Sequence, residues 1–212
     1  MEKISEKYNT LCNSPSDINE HLPTLYSYAN KCDSVFETGV RGIVSSYALL
    51  YGLINNNNGN NKYLLMNDIY PCEIDEINNN VELLNKDNKI IKLNYIWKNN
   101  LEIEFENNEC FDLTFIDTLH CYGQLRRELE KFSKITNKYI IMHDTTVDEF
   151  KGEIYRSNSS VLDYKNMTGF TDDNDILLGL GKAIDEFLQN NKNWVLLEKF
   201  TNNNGLTVLQ KI

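Results

Sequence analysis

Residues 111–146 read FDLTFIDTLHCYGQLRRELEKFSKITNKYIIMHDTT, and they contain two apolar runs of strand type. Leu113, Thr114, Phe115 and Ile116 lead into Asp117 and His120, while Tyr139, Ile140, Ile141 and Met142 lead into His143 and Asp144. Between them Leu125, Leu129 and Phe132 recur at helical spacing with charged residues on the opposite face, the pattern of an amphipathic helix. The order is strand, helix, strand. A right-handed crossover of this kind makes the two strands parallel and puts their carboxyl ends on one edge of a sheet. Open α/β sheets bind ligands at that edge. Two carboxylates and two imidazoles, distant in sequence, are therefore expected in one crevice.

The remaining composition bounds what such a crevice serves. A chain of 212 residues is long enough to bury a covered sheet, and a single domain over 1–212 is expected. No apolar run approaches the roughly 20 residues of a membrane span. The charged start MEKISEKYNT is unlike a signal peptide, so a cytoplasmic protein is expected. Cys12, Cys32, Cys72, Cys110 and Cys121 are odd in number and form no C-x-x-C pair, which argues against a disulfide framework and a structural zinc site. The formal charge is −10 without a basic cluster, which disfavours nucleic-acid backbones as partners. A small molecule or a glycan is the expected partner, with homo-oligomerisation left open.

Residues 1–15 are polar and are expected to form a flexible arm. Asp17, Ile18, Asn19 and Glu20 have capping-box spacing, and Pro23 suits the first turn of a helix carrying Leu22, Leu25, Tyr26 and Ala29. A short strand at Ser34, Val35 and Phe36 precedes a tight loop over residues 37–42, ETGVRG, and a helix over 45–53. A strand over 62–66 closes in Asn67 and Asp68; Ile74, Ile77, Val81 and Leu84 mark a helix, and residues 89–93 a third strand. The asparagine runs at 55–58, 78–80 and 202–204 are read as turn fillers, since Asn tolerates left-handed backbone. This alternation predicts an α/β fold, a mostly parallel sheet covered on both faces in three αβα layers.

The end of the chain breaks the pattern. After a helix over 180–189, strands over 194–200 and 206–210 are separated only by TNNNG. So short a loop holds no crossover, and the two strands are expected to be antiparallel. A Rossmann-like doubly wound sheet ending in an antiparallel hairpin is the topology of class I S-adenosylmethionine-dependent methyltransferases. The segments DSVFETGVRGIVSS, FIDTLHCYGQL, KYIIMHDTT and KNWVLLEKFTNNNGLTVL, in this order and spacing, resemble a group of small class I methyltransferases of bacteria and giant DNA viruses. That group is related to sugar O-methyltransferases and cephalosporin-hydroxylase-like proteins. The resemblance covers the chain from about Asp17 onward and implies S-adenosyl-L-methionine as cofactor. It further implies an O-methyltransferase acting on a sugar hydroxyl of a nucleotide-sugar or glycan. Two other readings stand beside it. A nicotinamide-dependent Rossmann oxidoreductase lacks its G-x-G-x-x-G here, and a non-catalytic S-adenosylmethionine-binding module would keep the fold alone.

Residues can be assigned on both sides of the expected crevice. Gly39 lets backbone approach a ligand closely, Gly42 keeps the helix entry tight, and Arg41 lies between them. Ile43 stands where the family often has a further glycine. Asp68, ending a strand, suits two ribose hydroxyls. The resemblance implies that Glu37 helps hold the methionine amino group, that Asn99 stands near the adenine, and that Asp117 also belongs to the cofactor site. It gives His120 the role of base in a D-x-x-H pattern and matches Asp117 and Asp144 to positions that hold Mg2+ in metal-dependent relatives. His143 stands where those relatives often have a second acid, so a metal-free site with His120 or His143 as base stands beside the metal site as an alternative. Tyr122, Tyr155 and Arg156 are candidate substrate contacts, and residues 147–176 a substrate lid. Arg126 and Arg127 read as a solvated helix face.

Overall fold

The computed structural model of the chain describes residues 1–59, 61–86 and 91–212. Its strands are β1 Ser34–Thr38, β2 Lys62–Asp68, β3 Ile91–Trp97, β4 Phe111–Ile116, β5 Thr136–His143, β6 Trp194–Phe200 and β7 Leu206–Lys211. They form one sheet in the order β3-β2-β1-β4-β5-β7-β6. Strands β1 to β5 pair in parallel, and β7 runs antiparallel to both β5 and β6. The expected Rossmann-like sheet with its terminal hairpin is therefore present. Strand order reverses between β1 and β4, and the crevice at their carboxyl ends is the switch point at which such sheets take ligands.

Side-chain alternation along each strand divides the interior into two cores. Val35, Leu64, Met66, Leu113 and Phe115 face α1 Glu2–Asn13, α2 Leu22–Ala29, α3 Val44–Asn55 and α4 Asp75–Lys86. Phe36, Leu65, Ile116, Ile140 and Met142 face α5 Tyr122–Phe132 and α8 Leu180–Asn190. Helix α3 is apolar on nearly every side because it lies between the sheet and α1 and α2. A Cβ on its Gly52 would lie 2.5 Å from the Tyr26 carbonyl oxygen, so the glycine permits that close helix contact. No helix among the described residues is long and apolar enough to cross a membrane.

Several local expectations change. The polar start forms α1 rather than an arm: Ile4 is buried, and the Tyr8 ring lies 5.5 Å from that of Tyr26 and 5.0 Å from that of Tyr51. Ile4, Tyr8 and Leu11 make an apolar stripe at helical spacing that the polar composition concealed. The capping box at Asp17 to Glu20 is not formed; Asn19–His21 is a 3-10 turn, and α2 starts with Pro23 in its first turn and no side-chain cap. The run Asn78 to Asn80 lies inside α4, where Asn80 is buried and its Nδ2 reaches Tyr47 Oη at 3.4 Å. Of the strand expected at 89–93, residues 89 and 90 lie outside the described residues; β3 continues to Trp97, opposite Asp68. The connection from β3 to β4 carries only a 3-10 turn, Asn100–Glu102.

The segment read as a lid is a folded insert. It contains a 3-10 turn Glu153–Arg156, α6 Val161–Thr168 and α7 Asn174–Leu177. Ile154, Tyr164, Phe170 and Ile176 form a small core of its own with Cys121. Glycines let it seat tightly: a Cβ on Gly152 would meet Ile176 O at 2.1 Å, and one on Gly179 would meet Asp148 O at 2.3 Å. Arg127, expected in solvent, instead lies over the Phe170 ring at 4.2 Å and pairs with Asp175 at 2.8 Å.

Candidate functional site

The turn after β1 is strained in a way that its sequence does not advertise. Gly39, Arg41 and Ile43 have φ of 89°, 40° and 60°. A β-branched residue in left-handed backbone is a rare and costly state, retained where surrounding structure demands it. Gly39 is required twice over, by its φ and because a Cβ there would lie 1.8 Å from the Asp117 carbonyl oxygen. Gly42 is not required: its backbone is ordinary, and the nearest atom to a Cβ would be 3.8 Å away. The tight helix entry expected of it comes from Ile43 instead. A cavity of about 270 Å³ opens beside this turn, with Arg41, Gly42, Ile43, Pro71 and Cys72 in its lining.

Asp68 joins two of the turns that rim the crevice. Its Oδ2 accepts from Arg41 N at 2.8 Å and its Oδ1 from Tyr70 N at 2.9 Å. Each carboxylate oxygen retains a second lone pair for a ligand hydroxyl. Arg41 contributes that amide, while its guanidinium turns outward to Asp17 at 2.7 Å. Glu37 is fully buried; its Oε1 accepts from Ser45 Oγ at 2.5 Å, and its Oε2 has no hydrogen-bond partner among the described residues. Burial pushes its carboxyl up to about 7 against the hydrogen bond from Ser45. A buried acceptor without a donor is costly. It fits the ammonium of the S-adenosylmethionine that the resemblance implies, whereas the close approach that Gly39 permits is made by the Asp117 carbonyl. The Asn99 oxygen accepts from Leu101 N at 3.0 Å and caps the 3-10 turn.

The ends of β4 and β5 converge as the sequence implies, and the insert adds two acids that it did not reveal. His120 Nε2 lies 3.2 Å from Asp117 Oδ1; its Nδ1 lies 2.9 Å from Asp144 Oδ2, 3.2 Å from Asp148 Oδ2 and 3.1 Å from Glu153 Oε2. Arg156 forks onto Asp148 through Nε at 2.9 Å and Nη2 at 2.5 Å, and Nη2 comes within 3.5 Å of Asp144 Oδ2. Asp144 has φ of 58°, and its Oδ1 is buried without a hydrogen bond among the described residues. Burial alone would lower the His120 pKa, but the surrounding carboxylates outweigh it and hold the ring well above its ordinary value. The two imidazoles in turn outweigh burial at Asp117 and hold its carboxyl well below the usual range.

His143 is 2 % exposed, and its Nε2–H donates to Asn203 O at 3.2 Å. Its Nδ1 then faces Asp117 Oδ1 at 3.4 Å and Asp144 Oδ1 at 3.5 Å. A neutral ring would aim a lone pair at both carboxylates, so the imidazolium is favoured, and the pKa is raised despite burial. His143 is therefore a buried counter-cation, and its side chain, 1% exposed against 14% for His120, is shut off from a substrate hydroxyl. The three substrate candidates separate. Arg156 joins the cluster; Tyr122 donates to Glu186 at 2.7 Å on the α8 side, and Tyr155 is 60 % exposed with Lys151 over its ring.

Ligand atoms of Asp117, His120 and Asp144 lie within 4.8 Å of one another, as do those of His120, Asp148 and Glu153. These sets fit Mg2+ poorly, because that ion takes near-octahedral oxygen coordination. His120 Nε2 already bonds to Asp117, its Nδ1 lies 3.0 Å from Arg156 Nη2 and 2.9 Å from Asp144 Oδ2, and Arg156 supplies further positive charge.

No protein-family model matches the sequence, and no curated protein matches it. Solved structures do resemble the fold. An O-methyltransferase from Bacillus cereus in complex with S-adenosylhomocysteine is 16% identical, with a TM-score of 0.57 over 100% of this chain and 91% of that one. An O-methyltransferase from Streptomyces achromogenes involved in tomaymycin synthesis, in complex with S-adenosylmethionine, is 12% identical, with a TM-score of 0.56 over 100% and 90%. A methyltransferase from Podospora anserina with bound S-adenosylhomocysteine is 15% identical, with a TM-score of 0.53 over 99% and 87%. At these identities the likeness is one of architecture, and with the strand order and terminal hairpin it shows that this chain has the class I methyltransferase fold.

Proposed function

We propose that the chain is an S-adenosylmethionine-dependent O-methyltransferase whose acceptor is a sugar hydroxyl. One observation carries this reading: an unpaired buried acceptor, Glu37 Oε2, and the His120–Asp144 cluster lie at the ends of β1, β4 and β5, around one switch point. The first suits the amino group of a methyl donor, and the second suits a hydroxyl that must lose its proton. The bound cofactors of the Bacillus and Streptomyces structures support the donor. Four carboxylates in the acceptor half, Asp117, Asp144, Asp148 and Glu153, disfavour a diphosphate there, so a glycan hydroxyl is preferred to a nucleotide-sugar.

When bound, S-adenosylmethionine supplies the methyl group as a sulfonium. The new O–CH3 bond forms as the S–CH3 bond breaks, in line, and the sulfur leaves as a neutral thioether. Glu37, Gly39 and Asp68 fix the donor, and such positioning supplies about 7–11 kcal/mol of a barrier. His120 takes the hydroxyl proton, a contribution of typically ~10²–10⁴-fold. It must first lose its own proton, so the site works on the alkaline side of a raised imidazole pKa. Asp117 and Asp144 orient the ring from opposite nitrogens. Calorimetry with S-adenosylhomocysteine and NAD, followed by methyl transfer to a panel of sugars, tests this function. Binding of NAD alone would overturn it.

A further inference from the structure

The turn that joins β6 to β7 does more than reverse the chain. Asn203 and Asn204 are left-handed, with φ of 45° and 68°, and each of three successive carbonyls accepts a hydrogen bond from another part of the molecule. Asn202 O accepts from His21 Nε2 at 2.9 Å and Asn203 O from His143 Nε2 at 3.2 Å. Asn204 O accepts from Thr146 N and Val147 N at 2.9 and 3.0 Å. The rings of His21 and His143, both buried, meet edge-on with centroids 5.7 Å apart. The turn thus holds the His143 ring before Asp144 and the backbone just after it.

The side chain of Asn203 fixes that turn in place. Its Oδ1 accepts from Glu20 N at 3.0 Å, and its Nδ2 donates to Ser16 O at 2.8 Å. Both partners belong to the segment before α2, in which Asp17 holds the Arg41 guanidinium at 2.7 Å. Residues 16–20 therefore grip the turn after β1 and the β6–β7 turn together. A reversal between two antiparallel strands needs no such anchorage. Glycine would serve the left-handed backbone at least as well, so the amide is accounted for by its two bonds to the distant segment.

The His143 ring gives this anchorage a use. Its Nδ1 lies 3.4 Å from Asp117 Oδ1 and 3.5 Å from Asp144 Oδ1, and the same two carboxylates hold His120 from opposite ring nitrogens. The bond at one imidazole nitrogen orients the other. A ring held at Nε2 by Asn203 O therefore keeps Nδ1 between the two acids that orient His120. We propose that Asn203 is a positioning residue for methyl transfer, acting through the His143 ring to keep Asp117 and Asp144 aligned on His120. This inference rests on the methyltransferase reading.

Asn203→Gly keeps the left-handed backbone and its carbonyl but loses the grip on Ser16 and Glu20. In the full chain, with the sugar that the wild type methylates best, kcat is expected to fall by about ten- to a hundredfold, as a small misplacement of reacting groups produces. Affinity for S-adenosylhomocysteine should stay as it is in titration calorimetry, because Glu37, Gly39 and Asp68 are untouched. The second readout is the ring itself. The chain has only 3 histidines, so long-range proton–nitrogen spectra of protein with isotope-labelled histidine resolve each one. The His143 Nε2 proton should be protected from solvent exchange in the wild type and lose that protection in Asn203→Gly. Asn203→Asp keeps the acceptor for Glu20 N and loses only the bond to Ser16 O, so it should fall between the two in both readouts. A folded Asn203→Gly protein in which either kcat or the His143 signals stay as in the wild type overturns the proposal, whatever its melting temperature. If that variant does not fold, Asn203→Asp decides by the same two readouts. Wild-type protein that binds no S-adenosylhomocysteine sinks the methyltransferase reading itself, whereas an active wild type with an indifferent variant sinks only the role of Asn203.

Discussion

Gly39 and Asp117 touch across the switch point so closely that a Cβ on the glycine would lie 1.8 Å from the aspartate's carbonyl oxygen. The contact sets the spacing between the turn after β1, which would hold the donor, and the turn after β4, which would carry acceptor-activating groups. Gly39→Ala must open that spacing and also place alanine at a φ of 89°. A loss of about 1–3 kcal/mol in stability is expected from the backbone alone, with S-adenosylhomocysteine binding lost in titration calorimetry. Gly42→Ala is the control and should bind as the wild type does.

Glu37 gives cofactor binding a pH signature. Its folded-state pKa is raised to about 7 by burial, so the folded protein holds a proton that the unfolded chain releases at the ordinary carboxylate value. The resulting stabilisation is complete below the unfolded pKa and is lost as pH rises through about 7. Its size is on the order of 3 kcal/mol. An ammonium docking at Oε2 favours the carboxylate, so cofactor binding should release a proton inside that window. Calorimetry in two buffers of different ionisation enthalpy should show the release, and Glu37→Gln should abolish it.

The residues that carry these effects were unequally visible in the sequence. Gly39, Asp68, His120 and Asp144 could be read because apolar strand runs end beside them, and βα topology alone brings such ends together. Asp148 and Glu153 could not, since they reach His120 only through the folding of the insert. Glu128 sits at a charged position of an amphipathic helix and reads as solvated. Its spacing, three residues after Leu125 and four before Phe132, puts it at the edge of the apolar face, where it is buried. Helix α1 was obscured for a related reason, because Ile4, Tyr8 and Leu11 are too sparse to outweigh their polar neighbours. Contacts made by regular periodicity were legible, whereas those made by irregular connections were not.

His120 should set the pH profile of catalysis. Its raised pKa means that the imidazolium stabilises the fold fully below the ordinary histidine value and ceases to do so as pH rises through the raised one. Activity should follow the opposite course, increasing as the base is uncovered. kcat/KM should therefore rise with pH above the range of an ordinary histidine while thermal stability falls. His120→Gln should lower kcat by ~10²–10⁴-fold and flatten both dependences. A profile unchanged in that variant would remove His120 from the role of base.

The balance of charge in the acceptor half decides whether a metal is needed. Asp148 is buried, and Arg156 meets both of its oxygens, while His120 bridges Asp117 and Asp144. With the Arg156 guanidinium and the His143 imidazolium already placed among four acids, methyl transfer should survive a strong chelator and gain nothing from added Mg2+. Removing one of those cations should change that. Arg156→Met leaves Asp148 with only His120 as a charged partner, at a cost of about 1–3 kcal/mol for an unsatisfied buried group. The same substitution should create affinity for a divalent cation that the wild type lacks, measurable as a rise in melting temperature on adding Mn2+. Combining it with Asp148→Asn should restore stability and cancel the metal effect in a double-mutant cycle. A wild-type protein inactivated by the chelator would instead show that a cation displaces the His120 proton in the working enzyme.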